Sequence, residues 1–180
     1  GYEQDKAANA PQPKYRCLVW ACPAHYYTNF TYWTQHCWGV TCVNDMEAML
    51  SYQPITIGDK EQALADLVRC YEKMMMRSHT NGGYVNLLDE CWKMCEKFHT
   101  NIVIMYDHVS CKNVGGLHGL FEDQARERGI HLIWIPHDVM DPRTVSRREM
   151  REAFSQYMVT VLNEKPLDPT LLDYEDTLSW

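Results

Sequence analysis

Short apolar runs alternate along this chain with longer stretches in which apolar residues recur at helical period. Residues 101–106, NIVIMY, form an unbroken apolar run ending in polar residues, the pattern of a strand buried on both faces of a parallel sheet. Tyr15–Ala21, Val40–Asn44 and Ile130–Ile135 read as three further strands. Between them, about Ala24 to Trp38 forms a helix with Tyr26, Phe30, Trp33 and Cys37 near one face, stopped by Gly39. An irregular segment rich in acid and methionine runs to Gly58. Asp59 then caps a helix whose Leu64, Leu67, Val68, Tyr71, Met74 and Met75 recur at helical period, with Gln62 at capping-box spacing.

Asn81, Gly82 and Gly83 break the chain before a helix of about Tyr84 to Phe98, with Leu87, Leu88, Cys91, Cys95 and Phe98 on its buried side. A helix over about Leu117 to Arg128 closes at Gly129, with Arg126 and Arg128 in its last turn, where cations suit the dipole. Ser146 and Glu149 form a capping box for the last long helix, with Met150, Ala153, Phe154, Tyr157, Met158, Val161 and Leu162 as its apolar face. Pro166 and Pro169 end it.

The order β-α-β-α-α-β-α-β-α predicts an α/β fold: a four-stranded parallel sheet with helices on both faces, Rossmann- or flavodoxin-like, in the order 2-1-3-4. With strands one and three adjacent, the loops Ala21–Thr28 and Asp107–Gly116 line one crevice, and the loop after strand four lies beside it. The expected organisation is a polar leader or linker over 1–14, one α/β domain over 15–165 and a tail over 166–180.

A chain of 180 residues, 46% hydrophobic and 23% charged, can bury one good core. Its net charge of -7 argues against general affinity for nucleic acid or an anionic membrane surface. The stretch Cys17–Asn44 is uncharged but interrupted too often by polar residues for a lipid-facing helix. The leader GYEQDKAANAPQPK carries no apolar run and does not read as a signal peptide. Eight cysteines without an export signal read as reduced thiols of a cytoplasmic protein, most of them small hydrophobes in a core.

Three features carry candidate chemistry. Cys111 lies in the loop after strand three, just before Gly115–Gly116 and a helix N-terminus, where backbone amides favour a thiolate or a metal-bound sulfur. Gly115 and Gly116 with Lys112 offer a phosphate cradle, although neither a dinucleotide nor a Walker spacing is present. In HDVMDPR, residues 137–143, Asp138 and Asp141 are candidate acid/base or metal carboxylates and Arg143 a bidentate anion fork, against a plain Asp-Pro turn with Arg143 paired to Asp138. Cys91 and Cys95, one helical turn apart, supply at most half a metal site, and the adjacent Trp92, Met94 and Phe98 favour a core face.

The segment DHVSCKNVGGLHGLFEDQARERGIHLIWIPHDVMDPRTVSRREMREAFSQYMVTVL resembles the C-terminal part of subunits of the 2-hydroxyacyl-CoA dehydratase and benzoyl-CoA reductase family. The points of contact are S-C-K after a buried strand, G-I-x-L-x-x-I before an Asp, D-x-x-D-P-R, and S-x-x-x-x-R leading a long helix. KYRCLVWACPAHYYTNFTYW is similar to the start of the family's C-terminal α/β half, so the likeness spans nearly all of 14–162.

The resemblance implies two related subunits, each holding an oxygen-sensitive 4Fe-4S cluster on three cysteines. The dehydratases of this anaerobic metabolism remove water from a 2-hydroxyacyl-CoA by a ketyl radical route, with an ATP-hydrolysing iron-sulfur activator supplying the electron. The S-C-K cysteine, one cluster ligand, carries over to Cys111. His108, Lys112, Gly115, Gly116, Asp138 and Arg143 become candidates for substrate or cluster surroundings, and Trp20, Tyr26, Tyr27 and Phe30 for an acyl or CoA pocket or an interface. Cys22 stands where relatives have a glycine-containing turn and receives no ligand role.

Family subunits are much longer, with two cluster cysteines in an N-terminal half that has no counterpart here. The expectation is therefore a C-terminal domain that contributes one ligand, is inactive alone and retains no cluster by itself. Its partners would be that N-terminal half, a homologous second subunit, the activator and an acyl-CoA. A benzoyl-CoA reductase-type domain and a non-enzymatic acyl-CoA-binding or subunit-docking domain are the alternatives.

Overall fold

The computed structural model describes residues 4, 7, 13–47, 54–72 and 74–173. Most of the 1–14 leader, residues 48–53 of the irregular segment and the last seven residues of the tail lie outside the described residues. Four strands, β1 (Tyr15–Trp20), β2 (Val40–Asp45), β3 (Ile102–His108) and β4 (His131–His137), form one all-parallel sheet in the order β2-β1-β3-β4. This is the predicted 2-1-3-4 arrangement. β3 runs from Ile102 to Tyr106 without an exposed residue, as a strand covered on both faces must.

Around the sheet lie α1 (Phe30–Trp38), α2 (Lys60–Glu72), α3 (Met75–Phe98), α4 (Lys112–Gly115), α5 (His118–Arg128) and α6 (Arg147–Thr160). α6 begins with the predicted capping box: Ser146 Oγ accepts from the Glu149 N–H, and the Glu149 carboxylate accepts from the Ser146 N–H at 2.7 Å. Gly39 takes the left-handed conformation (φ 70°) that ends α1. Gly83 (φ 70°, ψ -172°) interrupts α3, so the predicted break at Asn81–Gly83 is a kink within a helix that starts earlier than the sequence suggests.

Two expectations are corrected. The first helix begins at Phe30 rather than Ala24, because residues 24–29 turn instead, with the His25 N–H donating to the Val139 carbonyl at 2.8 Å. α2 ends at Glu72, so Met74 and Met75 of the predicted helical run fall at the start of α3, and Leu64, Leu67, Val68 and Tyr71, which keep the helical period, are exposed. Period identifies an amphipathic helix; it does not identify what covers it. The Asp59 cap is half made: Asp59 Oδ1 accepts from the Gln62 N–H, but the Gln62 side chain turns to Asp66.

Asp66 is the buried side chain of α2, and it accepts from the Thr56 N–H and hydroxyl, Gln62 Nε2 and Arg69 Nη1. The Thr56 hydroxyl and then its N–H hold this carboxyl at about 2, below its ordinary 3.8. The turn therefore keeps its full stabilisation above the ordinary carboxylate value and loses it as pH falls toward 2. An acid titration of far-UV circular dichroism should show a helix-loss step in that window that Asp66→Asn abolishes; an unchanged step would refute the role.

The core beneath α1 and α6 is aromatic. Phe154, fully buried, meets the rings of Phe30 (5.8 Å, 89°) and Trp33 (5.8 Å, 75°) edge to face. Phe154→Ala should cost about 3–5 kcal/mol in denaturant unfolding; a loss under about 1 kcal/mol would mean that this cluster does not hold α6 to the sheet.

Candidate functional site at the carboxyl edge of the sheet

β1 and β3 are hydrogen-bonded neighbours, so the chain leaves the sheet in opposite directions at their carboxyl ends. A pocket of about 220 Å³ lies there, lined by Trp20, Ala21, Cys22, Met46, His79, Leu87, Tyr106, His108, Cys111, Asn113, Val114 and Val139. It draws on the loops after β1, β3 and β4, the three expected to share a crevice, and also on Met46 and the kinked helix α3.

The Cys111 loop is held from both sides. Its N–H donates to the His108 carbonyl (2.9 Å), and the Val109 N–H donates to the carbonyl of His137, the last residue of β4 (3.0 Å). Asp107 pairs with His118 at 3.2 Å, and His118 stacks on Trp134 with ring centroids 3.4 Å apart. Cys111 is half-buried, a free thiol on the pocket wall.

The helix beginning at Cys111 is the single turn α4, whereas the long helix α5 starts only after Leu117. The expected dipole contribution to a sulfur anion is correspondingly small, since a four-residue turn aligns few peptide dipoles.

His108 Nδ1 lies 3.0 Å from both the N–H and the hydroxyl of Ser110. The N–H can only donate, so Nδ1 accepts, and the neutral ring carries its proton on Nε2. Among the buried polar atoms without side-chain or backbone partners, Trp20 Nε1 and His79 Nε2 line the pocket and the fully buried His137 ring stands beside it, while Trp38 Nε1 lies outside it. Burial is the main cause that lowers the His79 and His137 pKa values below the ordinary histidine value. The Trp20 and His79 nitrogens are open to hydrogen bonds with water or a ligand in the pocket.

The other candidates separate. Gly115 and Gly116 turn the chain between α4 and α5, and a Cβ at Gly116 would sit 2.9 Å from the Lys112 carbonyl oxygen. Lys112 is exposed and outside the pocket lining. Asp138 accepts from the N–H groups of Met140 and Asp141 in an Asx turn, while Arg143, its side chain 89% exposed, pairs with Asp141 rather than Asp138. The expected aromatic group divides. Trp20 faces the pocket; Tyr26 donates to the Val145 carbonyl, and Phe30 joins the Phe154 cluster.

Cys91 and Cys95 are buried on α3, with burial pushing the Cys91 thiol up. The contributions of His79 and Met46 escaped the sequence reading because they reach the pocket only through tertiary packing. Cys22 and His25 carried a local signal, a C-x-x-H spacing.

An α/β domain with a four-stranded parallel sheet in the order 2-1-3-4 is of the doubly wound class, whose crevice lies at the switch point where this thiol, imidazole and indole N–H meet. The model of the family described as 2-hydroxyglutaryl-CoA dehydratase, D-component, matches residues 2–158, and the chain belongs to that family. No curated protein is a significant match to it. No helix among the described residues is long and apolar enough to cross a membrane.

Thiol accessibility tests the placement. Maleimide labelling at neutral pH, read by peptide mass spectrometry, should modify Cys111 in the folded chain and leave Cys17, Cys37, Cys91 and Cys95 unmodified until denaturant is added. Cys22 should lag behind Cys111, because burial and then Glu47 push its thiol up to about 12 and leave little thiolate. Protection of Cys111 equal to that of Cys91 would overturn the pocket geometry.

Proposed function

We propose that this chain is the α/β domain of a 2-hydroxyacyl-CoA dehydratase subunit, in which Cys111 supplies one thiolate ligand to a 4Fe-4S cluster at the mouth of the sheet. The supporting observation is the coincidence of an accessible thiol with buried, partnerless polar groups on one pocket wall. The donor set suits an iron-sulfur group: thiolate is its usual protein ligand, and N–H donors near the sulfurs tune its potential. When bound, the cluster supplies one-electron chemistry at an iron open to substrate.

The protein's own groups have definite tasks. Trp20 Nε1–H and His108 Nε2–H offer hydrogen bonds to the thioester carbonyl or the 2-hydroxyl of an acyl-CoA. Leu87, Val114 and Val139 keep water from the acyl chain. His79 and His137 stay neutral near pH 7, which spares the site additional positive charge. One thiolate cannot retain a cubane, so the remaining ligands come from an N-terminal half of the subunit. The homologous second subunit and an ATP-hydrolysing iron-sulfur activator complete the electron path. The reaction belongs to the anaerobic cytoplasm.

The test is anaerobic iron and sulfide analysis of the complete native subunit, co-expressed with its partner, as wild type and as Cys111→Ser. The serine variant should lose cluster iron and the dehydration of 2-hydroxyacyl-CoA thioesters, with 2-hydroxyglutaryl-CoA tried first. His108→Ala should keep the iron and lower turnover by about 10²-fold. Full iron and full turnover in Cys111→Ser would sink the assignment. Turnover of aromatic acyl-CoA thioesters alone would move the chain to the reductase branch, and absence of iron from the wild type would leave a binding domain.

A further inference from the structure

We infer that Cys22, His25 and Glu47 form a mononuclear site for a divalent transition-metal ion of the zinc type, at the rim of the same pocket and separate from Cys111 in the loop after β3. The inference stands whether or not Cys111 ligates a cluster. The three side chains come from two loops that the parallel pairing of β1 and β2 brings together, and their ligand atoms all lie within 4.8 Å of one another. Cys22 Sγ and His25 Nε2 are 3.8 Å apart. A tetrahedral zinc ion with bonds of about 2.3 Å to sulfur and about 2.05 Å to nitrogen holds those atoms roughly 3.5 Å apart, so the pair is within a few tenths of an ångström of the required spacing. Glu47, exposed two residues after β2, closes the remaining gap by side-chain rotation.

The backbone is prepared for this arrangement. Ala21 adopts φ 66°, a left-handed conformation that a non-glycine residue takes only when its surroundings impose it, and it turns Cys22 off the end of β1. Pro23 fixes the next φ, and the His25 N–H is tied to the Val139 carbonyl. On the other loop the Met46 N–H donates to the Val19 carbonyl at 3.0 Å, anchoring the residue before Glu47.

Charge also matches. One thiolate and one carboxylate neutralise a divalent ion, with neutral imidazole as the third ligand. Soft sulfur with imidazole selects zinc-type ions over magnesium or calcium. Binding exchanges the Cys22 S–H proton, released to solvent, for the sulfur–metal bond. Three protein ligands leave a fourth position for water or a small oxygen ligand, the pattern of zinc sites that do chemistry rather than only brace a fold.

Cobalt(II) is the probe, titrated anaerobically into the metal-free 180-residue chain. One equivalent should bind with a thiolate-to-cobalt charge-transfer band and be displaced by zinc. Cys22→Ser should abolish the band, His25→Ala and Glu47→Gln should each weaken binding by about 100-fold, and Cys111→Ser should leave band and affinity unchanged. A band that survives Cys22→Ser, or that disappears with Cys111→Ser, overturns the site and assigns the metal to the crevice thiol instead. Melting temperatures are measured for every variant. Should Cys22→Ser fail to fold, Glu47→Gln decides the matter, because Glu47 is exposed and its neutral isostere leaves the fold intact; undiminished affinity in that variant refutes the proposal.

Discussion

The parallel pairing of β1 with β3 is the constraint on which everything at the carboxyl edge depends. Cys17–Trp20 lie in register with Ile102–Met105, although α1, β2, α2 and α3 separate the two strands in sequence. Right-handed crossovers then carry the chain to opposite faces, and the loops leaving β1 and β3 diverge. Trp20 at the end of β1 and Tyr106, two residues before the end of β3, become walls of one pocket. A one-residue slip in that register would turn the fully buried Val103, Ile104 and Met105 to the wrong faces, so the burial of β3 also fixes the position of the Cys111 loop.

Around that pairing the buried polar groups differ in how far they are satisfied. Several away from the crevice are satisfied, Trp33 by the Leu171 carbonyl, Trp92 by Gln124, Trp134 by Glu122 and Asp66 by four donors, whereas Trp38 Nε1 is buried without a partner. At the crevice Trp20, His79 and His137 hold buried nitrogens without partners. The adjacent Cys22–His25–Glu47 group adds a second set of donors beside it.

Local patterns spoke clearly where one physical cause acted. The unbroken run before Asp107 fits a strand covered on both sides better than an edge strand, and the Ser146–Glu149 spacing fits a helix start. The left-handed stop at Gly39 is equally local. The same reasoning went astray over Ala24–Asn29, where helical spacing of Tyr26 and Phe30 came from a turn tied to the β4 loop. It also could not say which side of α2 meets protein, because Leu64 and Tyr71 at helical period look alike whether or not something lies against them.

The sequence by itself determined the strands, their parallel order, the switch-point loop carrying Cys111 and the family, because each rests on short-range periodicity or on motifs in fixed succession. Only the tertiary structure decided which groups meet: that His79 and Met46 reach the Cys111 pocket, that Arg143 belongs to Asp141, and that Glu47 closes on Cys22 and His25. Those neighbours are separated along the chain by loops and whole elements, and contact across such distances is set by how helices pack on the sheet, which no local pattern of residues encodes.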